Sequence, residues 1–291
     1  MRPLATVATG ELLLATGKGG VGKSVVAAAL ARQLARQGRR VLLLEVDPRE
    51  SLHQLAGVAP SGGAPVPVVD RLVLQSLRPR QIVDGEIGAR LPFGWLARRV
   101  LASPIYQHFV DGAPGLEELA VLEHVRRSLE GEFDHVVVDA AASGHALAQL
   151  RAPRLVAEAV RSGPFSRLAA RLSALVADPR RTRVVLVARL EEMAVDETLE
   201  LAATLRAELD VRPALLVVNQ VIVGETSAPS ADEAPALRLW RRRQALQERQ
   251  RARLREGWDG GARLELPWLP LPRGPELMEA LSHRFEEEAV E

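Results

Sequence analysis

The sequence predicts an α/β fold in a single domain over residues 1–291. A mostly parallel central sheet is flanked by helices, and a helical insertion subdomain covers residues 80–130. Three observations predict this. Short runs that are apolar throughout recur along the chain, which is the pattern of parallel strands buried on both faces. Helix-patterned segments separate those runs, as right-handed crossovers require. A glycine-rich loop joins the first strand to the first helix, and ligands of such sheets sit at the carboxyl ends of strands.

The elements follow in order. Leu12 to Thr16 is an apolar strand, and Gly17 to Gly22 is the glycine-rich loop. Ser24 to Gln37 is an alanine-rich helix that Gly38 stops. Val41 to Val46 is a second strand ending at Asp47-Pro48. Pro, Gly and Ala make Ala59 to Pro67 a loop, and Arg71 to Leu77 reads as a strand. Residues 80–129 are helical in pattern, broken at Pro92, Pro104 and Pro114. Phe133 to Asp139 is a strand, Pro164 to Ala177 a helix, and Arg183 to Ala188 a strand. Val195 to Leu209 is a helix and Ala214 to Val218 a strand. Leu237 to Glu256 is an arginine-rich helix, Leu264 to Leu269 a last strand, and Pro275 to Phe285 a closing helix.

Composition narrows the classes. Net charge is +1, so the whole-protein field gives no sign of a nucleic-acid partner. No apolar run approaches the roughly 20 residues that span a bilayer, and no signal-peptide pattern opens the chain; a cytoplasmic location is expected. Cysteine is absent, which removes disulfides, thiolate metal sites and thiol catalysis together. Arginine is abundant, yet Lys18 and Lys23 are the only lysines and Asn219 the only asparagine. These are candidates for positions where arginine or aspartate would not serve.

The segment Gly17-Lys18-Gly19-Gly20-Val21-Gly22-Lys23-Ser24 fits G-x-x-x-x-G-K-[ST], with a strand before it and a helix after it. Glycines let the backbone turn its N–H groups toward phosphates. The helix N-terminus adds a favourable dipole. Lys23 reaches the β- and γ-phosphates in such loops, and Ser24 ligates Mg²⁺. The nucleotide-binding set therefore runs from Gly17 through Val25, with a nucleoside triphosphate as ligand. Asp139, ending a valine-rich strand, is the Walker B candidate for holding Mg²⁺ through water. This makes the fold that of a P-loop NTPase.

The early lysine, Lys18, completes the deviant Walker A pattern K-G-G-x-G-K-[ST]. Here the chain resembles the arsenite-pump and tail-anchored-protein-targeting (ArsA-type) ATPases and their wider group. The resemblance implies an ATP-hydrolysing dimer in which Lys18 reaches across to the partner's phosphates; the alternative is a lysine holding its own loop in cis. Asp47-Pro48-Arg49-Glu50-Ser51-Leu52 resembles the family's switch I, whose aspartate orients the attacking water and sits near the metal, the role this implies for Asp47. The run from Asp139 to Leu147 resembles switch II, with alanines where threonine and proline usually stand. His145 is retained there, and its plain reading is a packed or capping histidine. Asn219-Gln220 is similar to the segment whose asparagine reads the adenine edge. Arg189 to Thr198 and Ala113 to Glu118 carry further likeness. The resemblance runs from about residue 12 to residue 220, and more faintly to the end.

Departures matter as well. Without cysteine, metalloid binding and an interfacial zinc clamp are not expected, so a homodimer, or a heterodimer with a paralogue, must hold by packing and shared nucleotide. Phe93, Trp95, Tyr106 and Phe109 cluster in the helical insertion. They form either its core or an exposed apolar surface for a hydrophobic protein client. The basic stretch Arg238 to Arg255 reads as a solvated helix face. The first expectation is an ATP-driven switch handling a protein client. A MinD/ParA-like spatial regulator and a non-hydrolysing nucleotide-dependent scaffold are the alternatives.

Overall fold

The computed structural model describes residues 7–8, 10–46, 51–60, 62–90, 93–112, 115–140, 143–160, 162–224 and 234–286. Eight strands form one sheet: β1 (Leu12–Thr16), β2 (Val41–Glu45), β3 (Val66–Val69), β4 (Leu72–Ser76), β5 (His135–Asp139), β6 (Thr182–Ala188), β7 (Leu215–Val221) and β8 (Ala262–Pro267). Their spatial order is β3-β4-β2-β5-β1-β6-β7-β8. Every neighbouring pair is parallel except β3 with β4.

The helices are α1 (Lys23–Arg36), α2 (Leu52–Ala56), α3 (Pro79–Arg90), α4 (Gly94–Leu101), α5 (Pro104–Gly112) and α6 (Leu116–Gly131), then α7 (Ser143–Ala159), α8 (Pro164–Ala177), α9 (Glu192–Leu209), α10 (Pro235–Gly257) and α11 (Pro275–Ser282), with a closing 3₁₀ turn at His283–Glu286. Alternation along each strand divides them between two layers. Leu13 and Ala15 of β1 face a core shared with α1, α2 and α11, whereas Leu12 and Leu14 face one shared with α6, α7 and α8. Both sides of the central strands are thus dry, which is why their sequences carry almost no polar residue. Burying each such leucine contributes roughly 1.5–3 kcal/mol.

One expectation needs correction, and one element was missed. The loop read over Ala59 to Pro67 ends earlier, because Val66 and Pro67 belong to β3. β3 is the outermost strand, where proline's missing N–H costs no ladder bond on the open side. The helix α7 was not foreseen at all. Pro153 lies inside it, a residue that argues against helix by local rules. Packing decides otherwise: Ala146, Leu150, Ala152 and Pro153 are all buried in the layer beneath the sheet.

Between β4 and β5 come the helices α3 to α6. Val83, Tyr106 and Val110 form a small apolar cluster of their own there. The Tyr106 hydroxyl donates to Asp84 Oδ1 at 2.6 Å, and Arg80 stacks on its ring. The aromatic residues divide. Tyr106 is core, while Phe93 and Trp95 are more than half exposed and stack on one another with centroids 6.3 Å apart. The Phe109 side chain lies outside the described set.

Candidate functional site

β1 lies at the middle of the sheet between β5 and β6. The chain leaves it for β2 on one side and later returns to β6 on the other. The carboxyl end of β1 is therefore the crevice where an open α/β sheet takes its ligand. Gly17 to Gly22 fills that crevice and feeds α1.

Two glycines there are required by space as well as by backbone angle. Gly17 has φ +153°, and a Cβ on it would lie 2.1 Å from the Val187 carbonyl oxygen of β6. Gly22 has φ +95°, and a Cβ there would lie 2.2 Å from Asn219 Nδ2. The loop is thus pressed against β6 and β7. Gly19 and Gly20 are exposed at its rim. Gly22 is the N-cap of α1 and offers no side-chain cap, and the first turn carries no acidic residue. The first N–H groups of α1 keep their dipole directed at an incoming anion.

The two lysines are held differently. Lys23 Nζ donates to the Lys18 carbonyl at 3.1 Å, folding its stem back beneath the loop. Lys18 Nζ lies 2.6 Å from Glu197 Oε1 of α9. Ser24 is half-buried in the first turn of α1. Asp139 closes β5, is 4% exposed, and sits in register with Ala15 of β1 and Glu45 of β2. The strand register therefore brings Asp139 alongside the phosphate loop. Asp47 lies outside the described residues, as do Ala141 and Ala142 of the second switch.

Asn219 is buried at 3% exposure. Its Nδ2 donates to the Val21 carbonyl at 2.9 Å, and its Oδ1 accepts the Gln220 N–H at 3.0 Å. The β7–β8 register shifts between Val218 and Val221, and Gln220 has φ +59°. A bulge of this kind re-aims a side chain; here it turns the chain's single asparagine onto the phosphate loop. His145 is exposed near the start of α7, so the packed reading is corrected. It lines a cleft of about 390 Å³ with Val46, Arg78, Glu117 and Gln149.

A second cleft, about 520 Å³, opens at the carboxyl ends of β7 and β8. Ile222, Trp240, Pro267, Trp268 and Arg284 bound it. Trp240 and Trp268 meet edge to face with centroids 5.7 Å apart. Asn219 lies two positions before Val221, which also lines this cleft.

The family model for anion-transporting ATPases matches residues 10–164 and 162–286. The chain belongs to that family. The ATPase class read from the phosphate loop is the family's own. Within the anion-transporting ATPase family, an arsenical pump-driving ATPase of Acidiphilium multivorum is 31% identical over 253 residues, covering 80% of this chain and 42% of that protein. One from Escherichia coli is 32% identical over 259 residues, with the same coverage of 80% and 42%. The ATPase BagA of Mycobacterium tuberculosis is 29% identical over 229 residues, 73% of this chain and 65% of that one. The chain thus spans about two fifths of the length of the two pump-driving relatives. Among the described residues no helix is long and apolar enough to cross a membrane.

Sequence reasoning missed Glu45. It ends β2 with 0% exposure, and its Oε1 accepts from Ser51 N, Ser51 Oγ and Leu52 N at 2.6, 3.0 and 3.0 Å. Its Oε2 accepts from Ser76 Oγ at 2.9 Å. One carboxylate thereby ties Ser51 and Leu52, at the start of α2, to the end of β2. The signal was present in Val41-Leu42-Leu43-Leu44-Glu45, a charge inside an apolar strand, which needs partners wherever it is buried.

Proposed function

We propose that the chain is an ATP-hydrolysing switch that works as a dimer and couples nucleotide turnover to a protein client. The observation that carries this reading is the glycine-walled loop at the end of β1. It leads into an uncapped helix N-terminus, with Lys23 folded under it and Asp139 in register beside it.

Each part has a role in that reading. Backbone N–H groups and the Lys23 amine hold the triphosphate. Ser24 and Asp139 would hold Mg²⁺; a hydroxyl and a carboxylate suit it when phosphate oxygens and water complete the shell. The ion supplies neutralisation of phosphate charge. Asp47 orients the attacking water. Lys18 reaches the partner protomer's phosphates, so the protomer is an identical chain or a paralogue.

The base takes the cleft beside β7 and β8. Trp240 and Trp268 offer π-faces for stacking. Asn219 retains one N–H and one acceptor lone pair beyond its bonds to Val21 and Gln220, a pair that suits adenine. The Phe93–Trp95 stack favours a client with apolar surface. The absence of cysteine argues for a protein client over a thiolate-bound metalloid.

Nucleotide titration of variants tests the reading. Lys23→Ala weakens ATP·Mg²⁺ binding by at least about 100-fold and removes turnover. Asp47→Asn keeps binding and slows hydrolysis by about 100-fold or more. Unchanged affinity in Lys23→Ala overturns the proposal.

A further inference from the structure

Lys18 stands at the rim of the phosphate loop, and its amine is already engaged. Nζ lies 2.6 Å from Oε1 of Glu197, which is 179 positions further along the chain. The lysine and glutamate side chains are 25% and 39% exposed, so the pair is reachable from outside. The two partners sit on different kinds of element. Lys18 rides on a loop, whereas Glu197 rides on α9, which is anchored on either side of it. Val195 and Thr198 are buried, and Asp196 pairs with Arg253 of α10. A carboxylate on an anchored helix therefore holds an amine at the exposed rim of the phosphate loop. In the single protomer that amine is thus directed at its own chain's Glu197, 2.6 Å away.

We propose that Glu197 is a positioning residue for Lys18. It parks the amine in cis in the single protomer and yields it when two ATP-bound protomers close. This rests on the reading above that Lys18 acts in trans. Each closure then breaks two such pairs, one per protomer. A part-exposed ion pair of this kind shifts an equilibrium by up to about fivefold. Two together shift it by up to about 25-fold. Glu197 thus sets how much nucleotide and protein the dimer requires, without touching the reacting atoms.

The experiment uses the full chain and its Glu197→Gln, Glu197→Asp, Lys18→Met and Lys18→Met/Glu197→Gln variants. Sedimentation velocity with AMP-PNP and magnesium reads dimerisation, and steady-state ATP hydrolysis reads kcat and KM. The expected result is that Glu197→Gln dimerises at a protein concentration about 2- to 25-fold lower than the parent. Its KM for ATP falls while kcat does not. Glu197→Asp, which keeps the charge, stays near the parent. In the Lys18→Met background the Gln substitution adds nothing. A dimerisation curve for Glu197→Gln that overlays the parent's overturns the inference alone, provided Lys18→Met abolishes the dimer. A shift of equal size in the Lys18→Met background overturns it as well. If Lys18→Met leaves both dimerisation and turnover intact, the trans reading falls and the inference falls with it.

Discussion

Replacing Glu45 by alanine tests whether one buried carboxylate holds the start of α2 against β2. Its partners set the magnitude. The N–H groups of Ser51 and Leu52 both point at Oε1, and Leu52 is buried. Alanine leaves both donors unsatisfied, at roughly 1–3 kcal/mol each. The hydroxyls of Ser51 and Ser76 can turn to other acceptors, so they add little. The expected loss is about 3–5 kcal/mol with the vacated volume included. Glutamine behaves differently. It keeps Oε1 for the two N–H groups and presents an amide N–H₂ to the Ser76 oxygen, which can accept. Its loss is about 1 kcal/mol, the charge assistance alone. Urea unfolding followed by tryptophan fluorescence measures both. Hydrogen exchange at the Leu52 amide separates local release of this helix start from global loss. A Glu45→Ala protein within about 1 kcal/mol of the parent, with Leu52 still protected, refutes the reasoning.

Other outcomes follow from single observations. Gly22→Ala places a methyl 2.2 Å from Asn219 Nδ2 at φ +95°, so ATP affinity measured by fluorescent-nucleotide titration falls at least about tenfold. Tyr106→Phe removes the hydroxyl that donates to Asp84, and thermal or urea unfolding registers a loss of about 1 kcal/mol. Burial holds the His135 imidazole below its ordinary 6.5, although the hydrogen bond to the Gly10 carbonyl works the other way. The unfolded chain therefore binds more protons than the folded one just below pH 6.5. The neutral imidazole's contribution is complete above that pH and is lost as pH falls toward the lower folded value. Urea unfolding against pH shows this slope in the parent, and His135→Gln flattens it.

Most of the sheet was legible because a strand dry on both faces can only be apolar. The runs at Leu12, Val41, Phe133, Arg183 and Ala214 carry that signature without help from distant residues. Local rules failed where packing overrode them. Pro67 sits in an edge strand, where its missing N–H costs no ladder bond, and Pro153 sits in a helix whose burial offsets the lost backbone bond. The phosphate loop was legible for another reason: its glycines, amine and hydroxyl are consecutive, so the motif is a local object. The acid ending β5 was found by the same logic, from a strand that stops on a carboxylate.

By itself, then, the sequence determined the phosphate loop, the layered α/β class and the membership that its motifs announce. Those properties depend on neighbours in the chain and on whether a segment can be dry. Only the tertiary structure decided that Glu45 holds the start of α2 against the end of β2, that Asn219 is turned against Val21, and that Lys18 rests on Glu197. Each of those is a contact across a fold in which either partner would have other choices as an isolated segment. The partner is fixed by which strands lie side by side and which helix end faces the loop, and no local pattern encodes that geometry.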